Sequence, residues 1–473
     1  MKEAKKYWGA FVLGLSVFCL AKVNRVEAAP KTVRQGIYID GVDVSGATKE
    51  EATSLVEQRV EQNKDYKIHL KVGDEFVTVS GEELGIYWKN TDLIAQALNY
   101  GKEGNIVQRY KKVKQLKENS ASLSVKYGVD EDALHKVISD YCASLNKNPV
   151  NPTLIRVDGN FSVEDGKNGM TLNEEESYQL LKNFVENEWK GGDATLDLSY
   201  VTTEPAHKKE ELTGVVDVLG SSSTDYSSSS SSRKQNIQTG ASKVNGKVIY
   251  PGEQFSFTQA VVPFNAENGY ATAPSYESGE VVDSYGGGIC QVSTTLYLAL
   301  LRSEVQIDER HSHSMLVSYV KPSMDATIAE GSKDFVFTNT TGNPIYLESY
   351  TDGSTIGFNV YGVEYRDCQN REVSFESVTT DTEEPTTQLK AAPEESAGTI
   401  TLESAAHEGR EAELYKIVTV NGQESREKVN SSSYIMKPNV YKVGVQSDNT
   451  DTTNKLYTAI EKNDLNAAYA AVQ

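Results

Sequence analysis

The sequence predicts an α+β chain of several domains, and three observations carry that prediction. Its 473 residues exceed what one hydrophobic core holds together and point to about three modules. Period-two alternation is interleaved with capped helical runs as far as Ser303. Beyond that point the pattern turns almost wholly to short alternating strands bounded by Gly, Asn and Pro turns. The expected architecture is a pair of duplicated α+β units, then an α+β domain in which a helix precedes an antiparallel sheet. A small, elongated all-β module follows.

The chain opens with Lys2, Lys5 and Lys6 ahead of an apolar run from Gly9 to Ala21, with small residues at Ala28 and Ala29. That order is a secretory signal over residues 1–29, and the run is short for a membrane span. An uncleaved segment is the one membrane contact expected. The net charge of -20 argues against nucleic acid, because phosphate binding needs clustered Lys and Arg. After the signal only Cys142, Cys290 and Cys368 remain, too few for a disulfide scaffold and odd in number, so at least one thiol is free.

Residues 37–46 alternate and turn like a hairpin. Thr48 and Glu51 then make a capping box for a helix through Leu55 and Val60. Strands follow at 68–72 and 76–79 and a helix at 92–100, with a basic polar connector at 111–118. The logic repeats: a hairpin at 157–163, a helix capped by Asn173 and a strand at 194–201. These give two units, 33–118 and 119–210. The serine-rich stretch 221–232 has linker composition.

A globular pattern resumes at Ile237 and reaches Gly286-Gly287-Gly288-Ile289-Cys290-Gln291, followed by a helical run to Ser303. A thiol there sits at a helix start, where free N–H groups and the macrodipole favour thiolate. The bland alternative is a small apolar residue entering a buried helix. Strands are expected at 313–320, 334–337, 345–350 and 355–361. Residues 369–399, acidic and threonine-rich with Pro385 and Pro393, have the composition of an exposed linker. The Asn421-Gly422 turn centres a hairpin in a β module at 400–445, and residues 446–473 form a helical tail.

His311 and His313 follow Cys290 by 21 and 23 residues. Cysteine at a helix start, histidine on the next strand and an acid further on is the order of papain-like and transglutaminase-like sites. There the imidazole takes the thiol proton and the acid orients the ring. Asp325 and Asp334 are both available as that acid. The competing readings are a hydrogen-bonding strand edge, and a metal site for which Cys290, His311 and His313 supply three ligands with no fourth in sight.

Ser256-Phe257, Asn268-Gly269-Tyr270, the run Gly286–Tyr297, Glu309-Arg310, His313-Ser314, Asp325-Ala326-Thr327 and Asp334–Asn339 together resemble the VanW family. The resemblance covers about 222–363 within a domain of 215–368. It turns the serine stretch, with Arg233 and Asn236, into the start of that domain. It also implies His313 over His311 and Asp334 over Asp325, giving Cys290, His313 and Asp334 as the catalytic set. Gly286, Gly287, Gly288, Gln291, Ser293, Thr294, Arg310 and His311 are the implied ligand-binding residues. Residues 36–110 and 154–205 resemble the peptidoglycan-binding domain that often precedes VanW. Residues 401–444 resemble the G-five extracellular repeat.

The family implies a cell-wall setting, some members accompanying vancomycin-resistance clusters. The expected protein is exported and wall-associated, with peptidoglycan or a wall glycan as partner and no metal or cofactor. Tyr87, Trp88, Tyr270, Tyr276 and Tyr285 are candidate ligand-facing aromatics. Two rival expectations are a Cys-His-Asp acyl transferase or amidohydrolase on stem peptides, and a surface spacer or adhesin.

Overall fold

The computed structural model describes residues 31–277 and 280–473, with the side chains of 276–281 also left undescribed. The expected signal segment, 1–29, lies outside the described residues. Among those residues no helix is long and apolar enough to cross a membrane. The chain is mixed α+β, as expected, and divides into two compact units.

The first unit comprises 31–148 and 169–203 of the described residues. Its first helix, Lys49–Lys64, starts at the capping box read from sequence: Glu51 N donates to Thr48 Oγ1 at 3.3 Å and Thr48 N to Glu51 Oε2 at 2.9 Å. The strand Lys67–Val72 pairs antiparallel with Glu75–Ser80 and, on its other edge, parallel with Ala194–Asp197. That parallel pairing corrects the picture of two separate α+β units. Ile37, Val56, Leu70, Leu181 and Val185 share one core, so neither predicted segment closes a core alone. The basic connector is also corrected: Asn105 and Gln108 cap a helix, Ile106–Glu118. It has no buried residue, which is why its apolar periodicity was invisible.

The second unit comprises 149–168 and 204–473. A four-stranded antiparallel sheet runs in the order Asp217–Asp225, Thr355–Gly362, Ile345–Thr351, Lys247–Ile249. The serine-rich stretch is therefore no linker. Its first half is an edge strand, and Ser230 caps the helix Ser231–Val244 through Arg233 N at 3.3 Å. The helix Ile289–Ser303 packs on this sheet with almost every residue buried. A second sheet orders Gln254–Ser256, Val336–Thr338 and Gln306–Glu309. The hairpin Thr272–Glu277 and Glu280–Tyr285 stands beside the start of the cysteine helix.

The segment expected as an acidic linker carries two strands, Arg371–Glu383 and Thr387–Ser396. Val373, Phe375 and Ser377 alternate inward while Glu372, Ser374 and Glu376 face out, and the acidic outer row hid a strand pattern. Arg371–Glu383 pairs with Gly409–Val420, which pairs with Gln423–Tyr434. Thr387–Ser396 lies parallel to Asn439–Gln446. The expected strand over 313–320 does not form. His311 makes a single bridge to Thr327, and the His313 N–H donates to a side chain instead of a ladder.

Candidate functional site

Cys290 is the second residue of its helix, and glycine makes that position possible. Gly288 caps the helix at φ 109°, a conformation closed to most side chains. At Gly287 a Cβ would lie 2.5 Å from the Ala273 carbonyl oxygen, so hairpin and helix meet at a distance only glycine allows. Asn236, fully buried, ties this corner together. Its Nδ2 donates to Ala271 O at 2.9 Å and Gly287 O at 3.0 Å, and its Oδ1 accepts from Ala271 N at 2.7 Å.

The Cys290 sulfur lies 3.3 Å from Thr327 Oγ1 and 3.5 Å from Ile328 O, and the His313 ring lines the same cleft close enough to act on the thiol. His313 Nδ1 and Asp325 Oδ2 are 2.7 Å apart, which leaves Nε2 as the ring nitrogen on the thiol side. The carboxylate of Asp325 is filled on every side. Oδ2 also accepts from the His313 N–H at 2.7 Å, and Oδ1 accepts from Arg310 Nη2 at 2.9 Å and Tyr434 Oη at 2.6 Å. Its side chain is 1% exposed.

Electrostatics follow from this packing. Burial pushes the Cys290 thiol up, but the His313 ring and the Thr327 hydroxyl outweigh it and bring it down to about 7. Burial pushes the His313 imidazolium down, and Asp325 with the sulfur lifts it to about 9. For Asp325 burial works upward, while His313 and Arg310 hold the carboxyl down at about 2. A thiolate facing an imidazolium is the state these shifts favour near neutrality.

The pair opens into a cleft of about 920 Å³, whose wall includes Arg233, Phe264, Tyr285, Gln291 and Tyr319. Gly286 and Gly288 line it as well. Arg233 donates to Ser229 Oγ at 2.6 Å and to Gln291 Oε1 at 2.8 Å. Tyr319 meets the His313 ring edge-on, with centroids 6.4 Å apart.

Asp334, expected to orient the imidazole, does something else. It accepts from Ser256 Oγ at 2.5 Å, Thr258 N at 2.9 Å and its neighbour Phe335 N at 2.6 Å, and so braces a short helix start. Asp325 takes the place beside His313 because its segment folds back under the cysteine helix: Ser293 Oγ donates to Ala326 O at 2.6 Å, and Ala326 N donates to Thr294 Oγ1 at 3.0 Å. Ser293 and Thr294 are thus fully buried latches and not ligand-facing groups. Arg310 is engaged by Asp325. His311 pairs with Glu309 Oε1 at 2.8 Å and does not line the cleft.

At the helix start two backbone N–H groups are engaged in turns, Ile289 on Gly286 O and Gln291 on Gly288 O, both at 3.0 Å, and are not free to hold an oxyanion. Of the aromatics, Tyr285 lines the cleft, whereas Tyr270 is buried with its hydroxyl on Val261 O. Tyr87 and Trp88 belong to the first unit, and the Tyr276 side chain lies outside those described. Among the described residues the three cysteines are free, and no group of three or more His, Cys, Asp and Glu side chains is arranged to hold a metal ion. Sequence reasoning gave neither Tyr434 nor Thr327 a role at the site, since nothing in spacing links Tyr434 to a residue 109 positions earlier.

Comparison with known proteins agrees with this organisation. Residues 232–361 match the family described as "VanW like protein", and residues 77–191 match "Putative peptidoglycan binding domain". The uncharacterized protein YoaR of Bacillus subtilis is 30% identical over 246 residues, covering 52% of this chain and 79% of the relative. The vancomycin B-type resistance protein VanW of Enterococcus faecalis is 31% identical over 112 residues, or 22% of this chain and 40% of that one. Two solved G5 domains, of IgA1 protease and of HP0197, are covered completely and match 17% and 16% of this chain. Their identities are 21% and 12%, and their TM-scores of 0.14 and 0.12 carry no argument. The helix-borne cysteine, the histidine segment and the Asp325 return all fall inside the matched VanW region, with a relative aligned over most of its length. The chain belongs to the VanW family, as a homologue of YoaR.

Proposed function

We propose that the protein is a wall-associated, thiol-dependent acyl transferase or amidohydrolase acting on peptidoglycan peptides. The observation that supports this best is the Cys290–His313–Asp325 arrangement at the edge of an open cleft. In the proposed reaction the Cys290 thiolate attacks an amide carbonyl and forms a C–S bond. The His313 Nε2 proton passes to the leaving amine as the C–N bond breaks. Water or an acceptor amine then attacks the thioester, His313 takes its proton, and the C–S bond breaks to restore the thiolate beside the imidazolium. Asp325 holds the ring and balances its charge without being protonated.

The family matched by the first unit supports peptidoglycan as the partner and a location outside the cytoplasmic membrane. The serine and tyrosine hydroxyls around the cleft support a polar peptide or glycan ligand. The test incubates the full chain with soluble muropeptides and seeks an acyl adduct on Cys290 by mass spectrometry, with release of a new amine. Cys290→Ala is expected to lose both. If wild type forms no adduct, while wild type and Cys290→Ala sediment equally with purified sacculi, the chain binds the wall without chemistry. A chain that stays in the supernatant is a spacer.

A further inference from the structure

We infer that the C-terminal β sheet is part of the reacting centre, the strand Gln423–Tyr434 supplying Tyr434 as a positioning residue for Asp325. This rests on the catalytic reading of Cys290, His313 and Asp325.

The strand's period carries the argument. Ser432 and Tyr434 are buried between exposed Ser431, Ser433 and Ile435, so alternate residues project one way. Three successive members of that row reach the cysteine-bearing domain. Asn430 Nδ2 donates to Tyr297 Oη at 2.8 Å, Ser432 Oγ accepts from Arg310 Nη1 at 2.9 Å, and Tyr434 Oη donates to Asp325 Oδ1 at 2.6 Å. The loop leading to Asp325 is gripped by the neighbouring strands too: Ser323 Oγ donates to Ala412 O at 2.8 Å, and Ser377 Oγ to Pro322 O at 2.6 Å. Tyr434 Oη in turn accepts from Ser323 N at 2.7 Å.

A spacer has no reason to send a hydroxyl to a buried carboxylate. Asp325 offers about four acceptor positions, and all four are taken: two by His313, one by Arg310 and one by Tyr434. With Oδ1 held from two directions the carboxylate plane cannot turn, and Oδ2 stays on the ring. Without Tyr434 the plane is freed, the imidazolium loses part of its support, and the pair drifts toward neutral thiol. The other charged or titratable groups around the pair are Arg310 and Tyr319 and, along the cleft wall, Arg233, Asp225, Glu330, Tyr226 and Tyr285.

The experiment follows iodoacetamide alkylation of Cys290 against pH in the full chain, resolved by peptide mapping. Tyr434→Phe is expected to raise the midpoint by about one unit, a tenfold loss of reactive thiolate on the acid side. Asn430→Ala cuts a contact of the same strand that does not touch Asp325, and is expected to titrate as wild type. The inference is overturned if Tyr434→Phe titrates as wild type, or if Asn430→Ala shifts equally, which would mean docking alone. If wild type already titrates as an ordinary thiol, the catalytic reading fails and this inference with it. Should Tyr434→Phe not fold, Ser432→Ala loosens Arg310, the other group on Asp325 Oδ1, and so tests whether this strand positions Asp325; a wild-type midpoint there overturns the inference.

Discussion

Replacing His313 with alanine isolates the interaction on which the chemistry depends. With the imidazolium present the Cys290 thiol titrates at about 7. Without it, burial remains and the main opposing influence is gone, so the midpoint returns to at least the ordinary 9. At pH 7 the thiolate fraction then falls from about one half to about one in a hundred, roughly 50-fold. The more basic thiolate is intrinsically more reactive, by roughly 6- to 10-fold over two units at a Brønsted slope of about 0.4–0.5. The observed alkylation rate at pH 7 should therefore fall only about 5- to 8-fold, while the midpoint of the pH profile moves by about two units. The midpoint is the decisive readout. Cys142, pushed up to about 12 by burial, supplies an internal slow reference. A wild-type Cys290 that titrates together with His313→Ala would refute the thiolate–imidazolium pair.

Asp334→Ala should cost about 1–2 kcal/mol in urea unfolding, because it removes bonds from Ser256 and Thr258, yet leave the Cys290 midpoint in place. A shifted midpoint would return Asp334 to the site. Asn236→Ala strips one donor and two acceptors from their partner at the hairpin–helix corner and should cost at least about 2 kcal/mol, read by the same assay. Burial raises the Glu304 carboxyl, but Arg371 and Lys416 outweigh it and hold it at about 2. Because this pKa is depressed, its contribution is full above the unfolded value near 4.5 and is lost as pH falls toward 2. Glu304→Gln should flatten that acid limb of the stability curve, and an unchanged limb would remove Glu304 as its source.

The sequence carried much of this molecule openly and concealed particular parts for physical reasons. Thr48 and Glu51 announce a helix start because capping is local, and Cys290 announces itself because three glycines and an apolar run are contiguous. The choice between Asp325 and Asp334 was not legible. Both lie on the same side of His313 in sequence, and the answer depends on Ala326 folding back onto Ser293 and Thr294. The strand at 371–383 was hidden because acids on its open face give a strand the composition of a tether. The shared core of the first unit was hidden because parallel pairing of residue 194 with residue 68 leaves no local trace. Tyr434 is the extreme case, since its role exists only once a distant strand has been packed against the Asp325 loop.

The hydrogen-only position at residue 287 has a practical consequence for anyone altering this pocket. Its neighbours at 286 and 288 need glycine for backbone angle, and at 288 a Cβ would also come within 2.9 Å of the Arg233 side chain. Residue 287 needs it for room, and even one methyl group would wedge the Ala273 backbone away from the helix that bears the sulfur. Randomised libraries should treat these three adjacent codons as obeying different rules.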